Sequence, residues 1–406
     1  MKSVSGIALG IALSLGGAAF LAPAPALAQQ EQTLSAEERS AIGALKSAID
    51  ARNYAAAGAA VAAAQSSART GYARYLASAL QLRLGIETGN LSLQSSAIEG
   101  MAGSGATPAA DLPLLYKNLG ALTLRTGQYK KADAALTRWA ELAPSDPEPL
   151  LALAEARERL KRPQDAATLT ERAIGLRQAS GQPVPEGWYK RGLKHTFDAS
   201  LAPQSFKIGR DLVATYPSPQ NWRDTLLIYS DLAKPDAASK IDVMRLMRAA
   251  KALNGERDYL EFAQALSAAG LHGEAKEVLD EGVAAKMVDP AKATFKELIG
   301  TSRTRAAAGK APLKSLETKA LAAAAGEPAL AAGDALLGYG EHVRAAALYR
   351  AAVQKGAAQA DVANLRLGTA LALGGQRAEA EAAFRSVTGP RAELASLWLA
   401  WLGQRG

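Results

Sequence analysis

The residues of this chain that could move protons or hold a metal at neutral pH are three histidines, His195, His272 and His342. They lie far apart in sequence, and none has a partner at the His-x-x-x-His spacing that puts two imidazoles on one helix face. Cysteine is absent, which removes a thiol nucleophile, a zinc ribbon and any disulfide. Gly309-Lys310 has the ending of a phosphate-binding loop, but Thr304 stands where its first glycine belongs and Ala311 replaces the hydroxyl residue that follows the lysine. Ser104, between Gly103 and Gly105, lacks the Gly-x-Ser-x-Gly spacing of a nucleophile elbow and reads as a loop. The expectation is a chain that does not catalyse, with no cofactor and no metal site.

What the sequence does carry is a regular step. Leu119-Gly120 returns as Leu153-Ala154, Ala132 as Ala166 and Leu142 as Leu176, each 34 residues on. Leu337 returns as Leu371, Ala346 as Ala380 and Val353 as Val387, and Trp188 and Trp222 keep the same step. A period of this size without strand-like alternation is the signature of stacked helical hairpins. From Pro113, the residues Tyr116, Leu119, Gly120 and Thr123 fall at i, i+3, i+4 and i+7 and form one buried stripe. Gly127 breaks that helix; Tyr129 restarts the pattern, Ala132, Leu136 and Trp139 form the inner face of the next helix, and Pro144 follows its end. Gly120 and Ala132 are small where the two axes must approach to about 8 to 10 Å. Composition agrees: hydrophobic residues are 49% of the chain but aromatics only 5%, so the apolar content is mainly Ala and Leu, the strongest helix formers.

The first residues set the expected compartment. Lys2, the apolar run Ile7 to Leu21, then Pro23, Pro25 and Ala26-Leu27-Ala28 read as a secretory signal peptide cut near Ala28. The run is shorter than the roughly 20 residues that span hydrocarbon, so no integral membrane anchor is expected. The protein is therefore expected in the periplasm of a bacterium, or secreted. The formal charge of +8 falls to +7 once Lys2 is lost, a mild excess that permits an acidic partner, while the lack of a basic cluster and the export signal argue against nucleic acid.

The repeated residues resemble the tetratricopeptide repeat (TPR) family. Its pattern asks for a large residue at position 4, Leu then Gly or Ala at 7 and 8, a large residue at 11, Gly at 15, an aromatic at 17, Ala at 20, a large residue at 24, a small one at 27 and Pro at 32. Pro113 to Asp146 meets it with Tyr116, Leu119, Gly120, Gly127, Tyr129, Ala132, Leu136 and Pro144, and departs at Thr123 and Trp139. Pro147 to Ser180 follows with Leu150, Leu153, Ala154, Ala166 and Ala173 but lacks the Gly and the Pro. Glu256 to Asp289 contributes Tyr259, Phe262, Ala263, Leu266, Gly270 and Ala275, and Asp361 to Leu394 contributes Leu367, Gly368, Leu371, Gly375, Ala380 and Phe384. Glu327 to Ala360 carries Gly333 where Leu is wanted, and Pro185 to Ser218 and Pro219 to Ala252 share little beyond Trp188 and Trp222.

The resemblance implies an all-α fold, a right-handed superhelical α-solenoid of TPR-like helical hairpins. It also implies a partner segment bound in the concave groove lined by the first helix of each hairpin. Carried over by repeat position, the groove residues are Lys117, Asn118, Arg125, Arg159, Tyr189, Lys190 and Arg223, with Ala121, Leu151, Glu155 and Leu227 beside them. Lys117, Arg125, Lys190 and Arg223 are expected to meet acidic groups and Tyr189 to pack on apolar ones. Lys117 with Asn118 resembles part of the carboxylate clamp of some family members, but the rest is missing from the next repeat, where Glu148 and Glu155 would repel an anion.

The expected organisation is a signal peptide (1–28), degenerate hairpins (29–112), two repeats (113–180), degenerate hairpins (181–255), one repeat with an irregular hairpin (256–326), two repeats (327–390) and a capping helix (391–406). The interruptions at Gln178 to Gly187 and at Ala306 to Pro312 are expected to divide one continuous solenoid into two or three rigid segments, not independent globular domains, with the first loop read as a passive spacer. In the last segment Leu394, Leu397, Trp398, Trp401 and Leu402 form an apolar stripe suited to covering a final hairpin. The expected function is a scaffold or adaptor for envelope proteins. The alternative is a binding module for an anionic envelope polymer such as peptidoglycan or polysaccharide, against which stands the scarcity of free aromatic platforms.

Overall fold

The computed structural model describes residues 33–357 and 359–404; the expected signal peptide and its expected cleavage near Ala28 lie outside the described residues. Among the described residues all regular structure is helical, with twenty-one α-helices and one 3-10 turn. The chain forms two compact units that divide between Ala109 and Ala110. The loop Gln178 to Gly187 and the segment Ala306 to Pro312 both lie inside the second unit.

The first unit has four described helices, α1 (Ala36–Asp50), α2 (Tyr54–Ser67), α3 (Gly71–Glu87) and α4 (Leu91–Ala102). Each starts on a side-chain cap: Ser35, Asn53, Thr70 and Asn90 accept from backbone N–H groups in the first turns. Ser35 and Glu38 form a reciprocal capping box. Glu38 is 2% exposed, and its Oε1 also accepts from the N–H groups of Arg69 (2.9 Å) and Thr70 (3.2 Å), tying the start of α1 to the turn before α3.

The second unit begins with α5 (Leu112–Arg125), α6 (Tyr129–Leu142), α7 (Glu148–Arg159), α8 (Pro163–Ala179), α9 (Glu186–Asp198) and α10 (Ala202–Thr215). It continues with α11 (Pro219–Ala233), α12 (Ala237–Ala249), α13 (Gly255–Ala268), α14 (His272–Ala284), α15 (Ala293–Lys310) and α16 (Leu313–Ala322). It ends with α17 (Glu327–Leu337), α18 (His342–Gln354), α19 (Ala360–Leu373), α20 (Arg377–Arg385) and α21 (Ala392–Gly403). Each odd helix from α5 to α13, and again α17 and α19, pairs with the next even helix as a hairpin, and a close contact sixteen residues apart recurs at the crossing. A Cβ on Gly120 would lie 2.2 Å from Leu136, on Gly333 2.7 Å from Tyr349, and on Gly368 2.5 Å from Phe384. The contact corrects one expected phase: Gly333 takes the place of Gly120 in its own repeat, so that repeat is displaced by one residue relative to the start at Glu327. It also gives Pro185 to Ser218 a repeat feature beyond its tryptophan, since a Cβ on Gly192 would meet Ile208 at 3.1 Å.

The stack does not stay open. α21 covers α20 and α19, as a capping helix should, and it also packs on α10. Trp401 Nε1 donates to the Ala249 carbonyl (3.2 Å), Trp222 Nε1 to Gln404 Oε1 (3.2 Å) and Gln404 Nε2 to the Val213 carbonyl (2.8 Å). Arg210 reaches Glu393 at 2.6 Å. One apolar core consequently runs from Val213 to Leu402. Within it α12 is buried around its whole circumference, Ile241 to Met247 without a break.

Candidate interaction surface

On α5 the buried residues Leu115, Leu119, Gly120, Leu122 and Thr123 take one side. Leu114, Lys117, Ala121 and Arg125, at i, i+3, i+7 and i+11, run along the other side, and all four are exposed, Leu114 by 51%. Lys117 Nζ lies 3.0 Å from Glu148 of α7 and 5.1 Å above the Trp139 ring. Trp139 is thus large at a position where the family prefers a small residue because it both fills the core and supports Lys117. Asn118 is half-buried beside it. Arg125 and Arg159 occupy the same register in successive hairpins; both are exposed, and neither has an ion pair among the described residues.

Of the other expected groove residues, Tyr189 and Arg223 are committed inside the molecule and Lys190 is exposed. Tyr189 is 4% exposed and packs at a tilt on Tyr216, ring centres 6.4 Å apart, so it is a core residue and does not face a groove. Lys190 pairs with Glu186 on its own helix at 2.8 Å. Arg223 donates to both carboxylate oxygens of Asp258 on α13 and to the Ala252 carbonyl, which rivets α11 to the next hairpin. The Asp258 hydrogen bond raises the Arg223 pKa against the opposing effect of burial. The geometry therefore brings Lys117, Asn118, Arg125 and Arg159 to one face of α5 and α7 and leaves Tyr189 and Arg223 out of it. Leu114 was not among the expected residues; the signal for it was a large aliphatic side chain on the polar side of its own helix.

A second group absent from the sequence expectations is a buried ionic network. Arg245 of α12 holds Glu274 of α14 with two nitrogens (2.9 and 2.6 Å) and Asp242 with a third (2.8 Å). Arg366 of α19 reaches the same Asp242 at 3.2 Å and Asp334 of α17 at 2.6 Å, and Tyr349 Oη donates to Asp334 at 2.8 Å. Burial pushes the Asp334 carboxyl pKa up even with Arg366 beside it. The network joins five helices and is largely buried, so it holds structure.

The histidines stand apart from one another. His195 is buried, hydrogen-bonded with Thr170 Oγ1 (2.9 Å) and 3.3 Å from Glu158. Burial lowers the pKa of all three imidazoles; Arg305 adds to the effect at His272, and Arg248 at His342. Among the described residues no cluster of His, Asp and Glu has the geometry to hold a metal ion. Gly309 and Lys310 end helix α15 and form no loop around an anion. The Ser104 hydroxyl donates to the Met101 carbonyl (2.7 Å) in the turn after α4.

No family model matches the sequence, and no curated protein matches it. Among solved structures the chain is similar to a tetratricopeptide repeat protein from Parabacteroides merdae ATCC 43184, at 12% identity over 83% of this chain and 100% of that one, TM-score 0.29. It is similar to the P58(IPK) TPR domain at 13% identity over 91% and 99%, TM-score 0.27. It is likewise similar to Pseudomonas aeruginosa PilF at 11% identity over 65% and 97%, TM-score 0.25. Similarity at this level carries no functional inference. The hairpins themselves, with their sixteen-residue crossings and glycine turns, define the class: an all-α solenoid of helical hairpins, whose repeats resemble tetratricopeptide repeats.

Proposed function

We propose that this protein is a non-catalytic protein-interaction scaffold, exported to the bacterial envelope, that holds a partner segment against the exposed face of α5 and α7. The observation that supports this reading is the stripe Leu114, Lys117, Ala121 and Arg125, which stays exposed, whereas Tyr189 and Arg223, at the repeat position of Lys117 in later hairpins, are buried or ion-paired within the molecule. It combines an apolar anchor with cations, and Arg159 extends it onto the next hairpin. The Lys117–Glu148 pair is exposed on both sides and holds little energy, about 0 to 1 kcal/mol, so a partner carboxylate can compete for Lys117.

Crosslinked pull-down from an envelope extract, followed by affinity measurement with the captured protein, tests the reading. Charged hydrogen bonds contribute about 1.5 to 3 kcal/mol each, so Lys117→Ala with Arg125→Ala should weaken binding about tenfold or more. Equal binding by the double variant rejects this face. N-terminal sequencing of the exported chain should begin at Gln29; a retained leader rejects the export route.

A further inference from the structure

Consecutive helices of the second unit pack on each other all along the stack except at α15 and α16, which barely touch. α15 leans on α14 and α13, whereas α16 leans on α17 and α18. Tyr339, in the turn after α17, donates to the Ala306 carbonyl of α15 at 2.8 Å, so a residue from elsewhere covers the side of α15 that α16 leaves. Gly309 makes that reach possible, since a Cβ there would lie 2.6 Å from the Tyr339 hydroxyl.

The separation leaves a cleft of about 120 Å³ whose walls include Leu271, Leu313, Leu316 and Tyr339, with His272 and Arg305 as its polar members. Leu316 is 40% exposed in it. A dry cavity of about 150 Å³ takes one benzene ring, while small-molecule sites measure about 300 to 1,000 Å³, so this cleft suits one apolar side chain and no cofactor.

Arg305 lines the cleft, and the two helices that flank it carry one-sided charge along their length. Residues 296–319 hold Lys296, Arg303, Arg305, Lys310, Lys314 and Lys319 against Glu297 and Glu317 alone, in a chain whose total charge is +8. Arg303 is paired with Asp280, and Glu317 is taken by Arg344, whereas Lys310, Lys314 and Lys319 are exposed and have no ion pair among the described residues. Lys314 also sits in the first turn of α16, which has neither an acidic residue nor a side-chain cap. A cation there opposes the positive end of the helix dipole, and a bound anion relieves both.

We propose that the opening between α15 and α16 is a docking site for an acidic peptide segment, one apolar side chain of which fills the cleft while flanking carboxylates meet Arg305, Lys310 and Lys314. The site is separate from the α5 and α7 face and does not depend on it. A peptide fits better than an anionic polysaccharide or phosphate polymer because the cleft calls for an apolar side chain set among negative charges.

The test is fluorescence anisotropy of the full exported chain with a labelled heptapeptide, Glu-Asp-Glu-Leu-Glu-Asp-Glu, beside the same peptide with Ser for Leu. The leucine peptide should bind saturably, and the serine peptide about tenfold more weakly or worse. Arg305→Ala with Lys314→Ala should weaken the leucine peptide about tenfold, and Leu316→Gln should abolish the preference for leucine over serine. Lys117→Ala with Arg125→Ala serves as the background that separates this site from the α5 face: in it the preference for leucine over serine should persist and still be abolished by Leu316→Gln. Leu316→Gln changes an exposed side chain and decides the matter should the charge variant unfold. Absence of saturable binding, unchanged affinity in the cleft variants, or equal affinity for the two peptides would overturn the proposal, the last by showing attraction to any polyanion.

Discussion

Lys161 holds a left-handed backbone, φ 60°, at the turn between α7 and α8, where Gly127 serves the preceding hairpin with φ 74°. The turn geometry is imposed by the helix packing on either side, so the chain accepts the strain of a side chain there. A non-glycine residue in this region costs about 1 to 2 kcal/mol, and glycine returns about 0.5 to 1 kcal/mol of that through the entropy of the unfolded chain. Lys161→Gly should therefore raise stability by about 0.5 to 1 kcal/mol, read as a higher urea midpoint; a lower midpoint would show that Lys161 has a contact outweighing the strain. Glu38 makes a second residue-level test. The Ser35 and Thr70 N–H groups, helped by Arg69 and opposed by burial, hold its carboxyl at about 2 against an ordinary 4.5. Its folded pKa lies below its unfolded pKa, so its contribution is complete above about 4.5 and disappears as pH falls toward 2. Melting of the first unit should fall across that window, and Glu38→Gln should flatten the dependence.

At the scale of the element, the hairpin crossings were legible in the sequence because a side chain at a helix–helix contact must be small at any stability. Gly120, Ala132, Gly368 and Ala380 announce themselves by size and spacing alone. The phase of Glu327 to Ala360 was not legible, because a one-residue slip leaves most Ala and Leu positions looking equally suitable; only Gly333 under the Tyr349 ring fixes it. The candidate face divides the same way. Lys117, Arg125 and Arg159 follow from the outward register of their own helices, but Tyr189 and Arg223 occupy that register and are taken by Tyr216 and Asp258, partners that one hairpin cannot reveal. In α21 the stripe was readable and its second neighbour, α10, was not. Trp398 is fully buried, stacked on Phe384 at 5.7 Å and edge-on to Trp401 at 5.3 Å. Trp398→Ala should cost about 3 to 5 kcal/mol, and an unchanged melting curve would refute the packing described.

Across the second unit, the return of α21 onto α10 and the Asp242–Arg366 contact join residues far apart in the chain. Asp242 sits between two arginines, 2% exposed, and removing it leaves both without their shared counter-charge. Breaking such a buried pair costs about 3 to 5 kcal/mol, whereas replacing the whole group with apolar residues is often neutral. Asp242→Ala should lower the urea midpoint accordingly. Replacing Arg245, Arg366, Glu274 and Asp334 as well with apolar residues should recover part of the loss, because no buried charge is then left unpaired, and no recovery would show that shape, not charge, is what Asp242 supplies.

The return of α21 also bears on how this stretch gains and loses structure. Repeat arrays in which each hairpin touches only its neighbours can melt from an end, one hairpin at a time. Here the hydrogen bonds from Gln404 to Val213 and from Trp401 to Ala249 bind the far end to the middle, so α10 to α21 should unravel as a single event without fraying. Contacts across so long a stretch form slowly, because loop closure comes before the contacts that reward it. Until α21 has found α10, the apolar surfaces it will cover lie open, and that interval is when a newly made chain of this kind has most need of a chaperone.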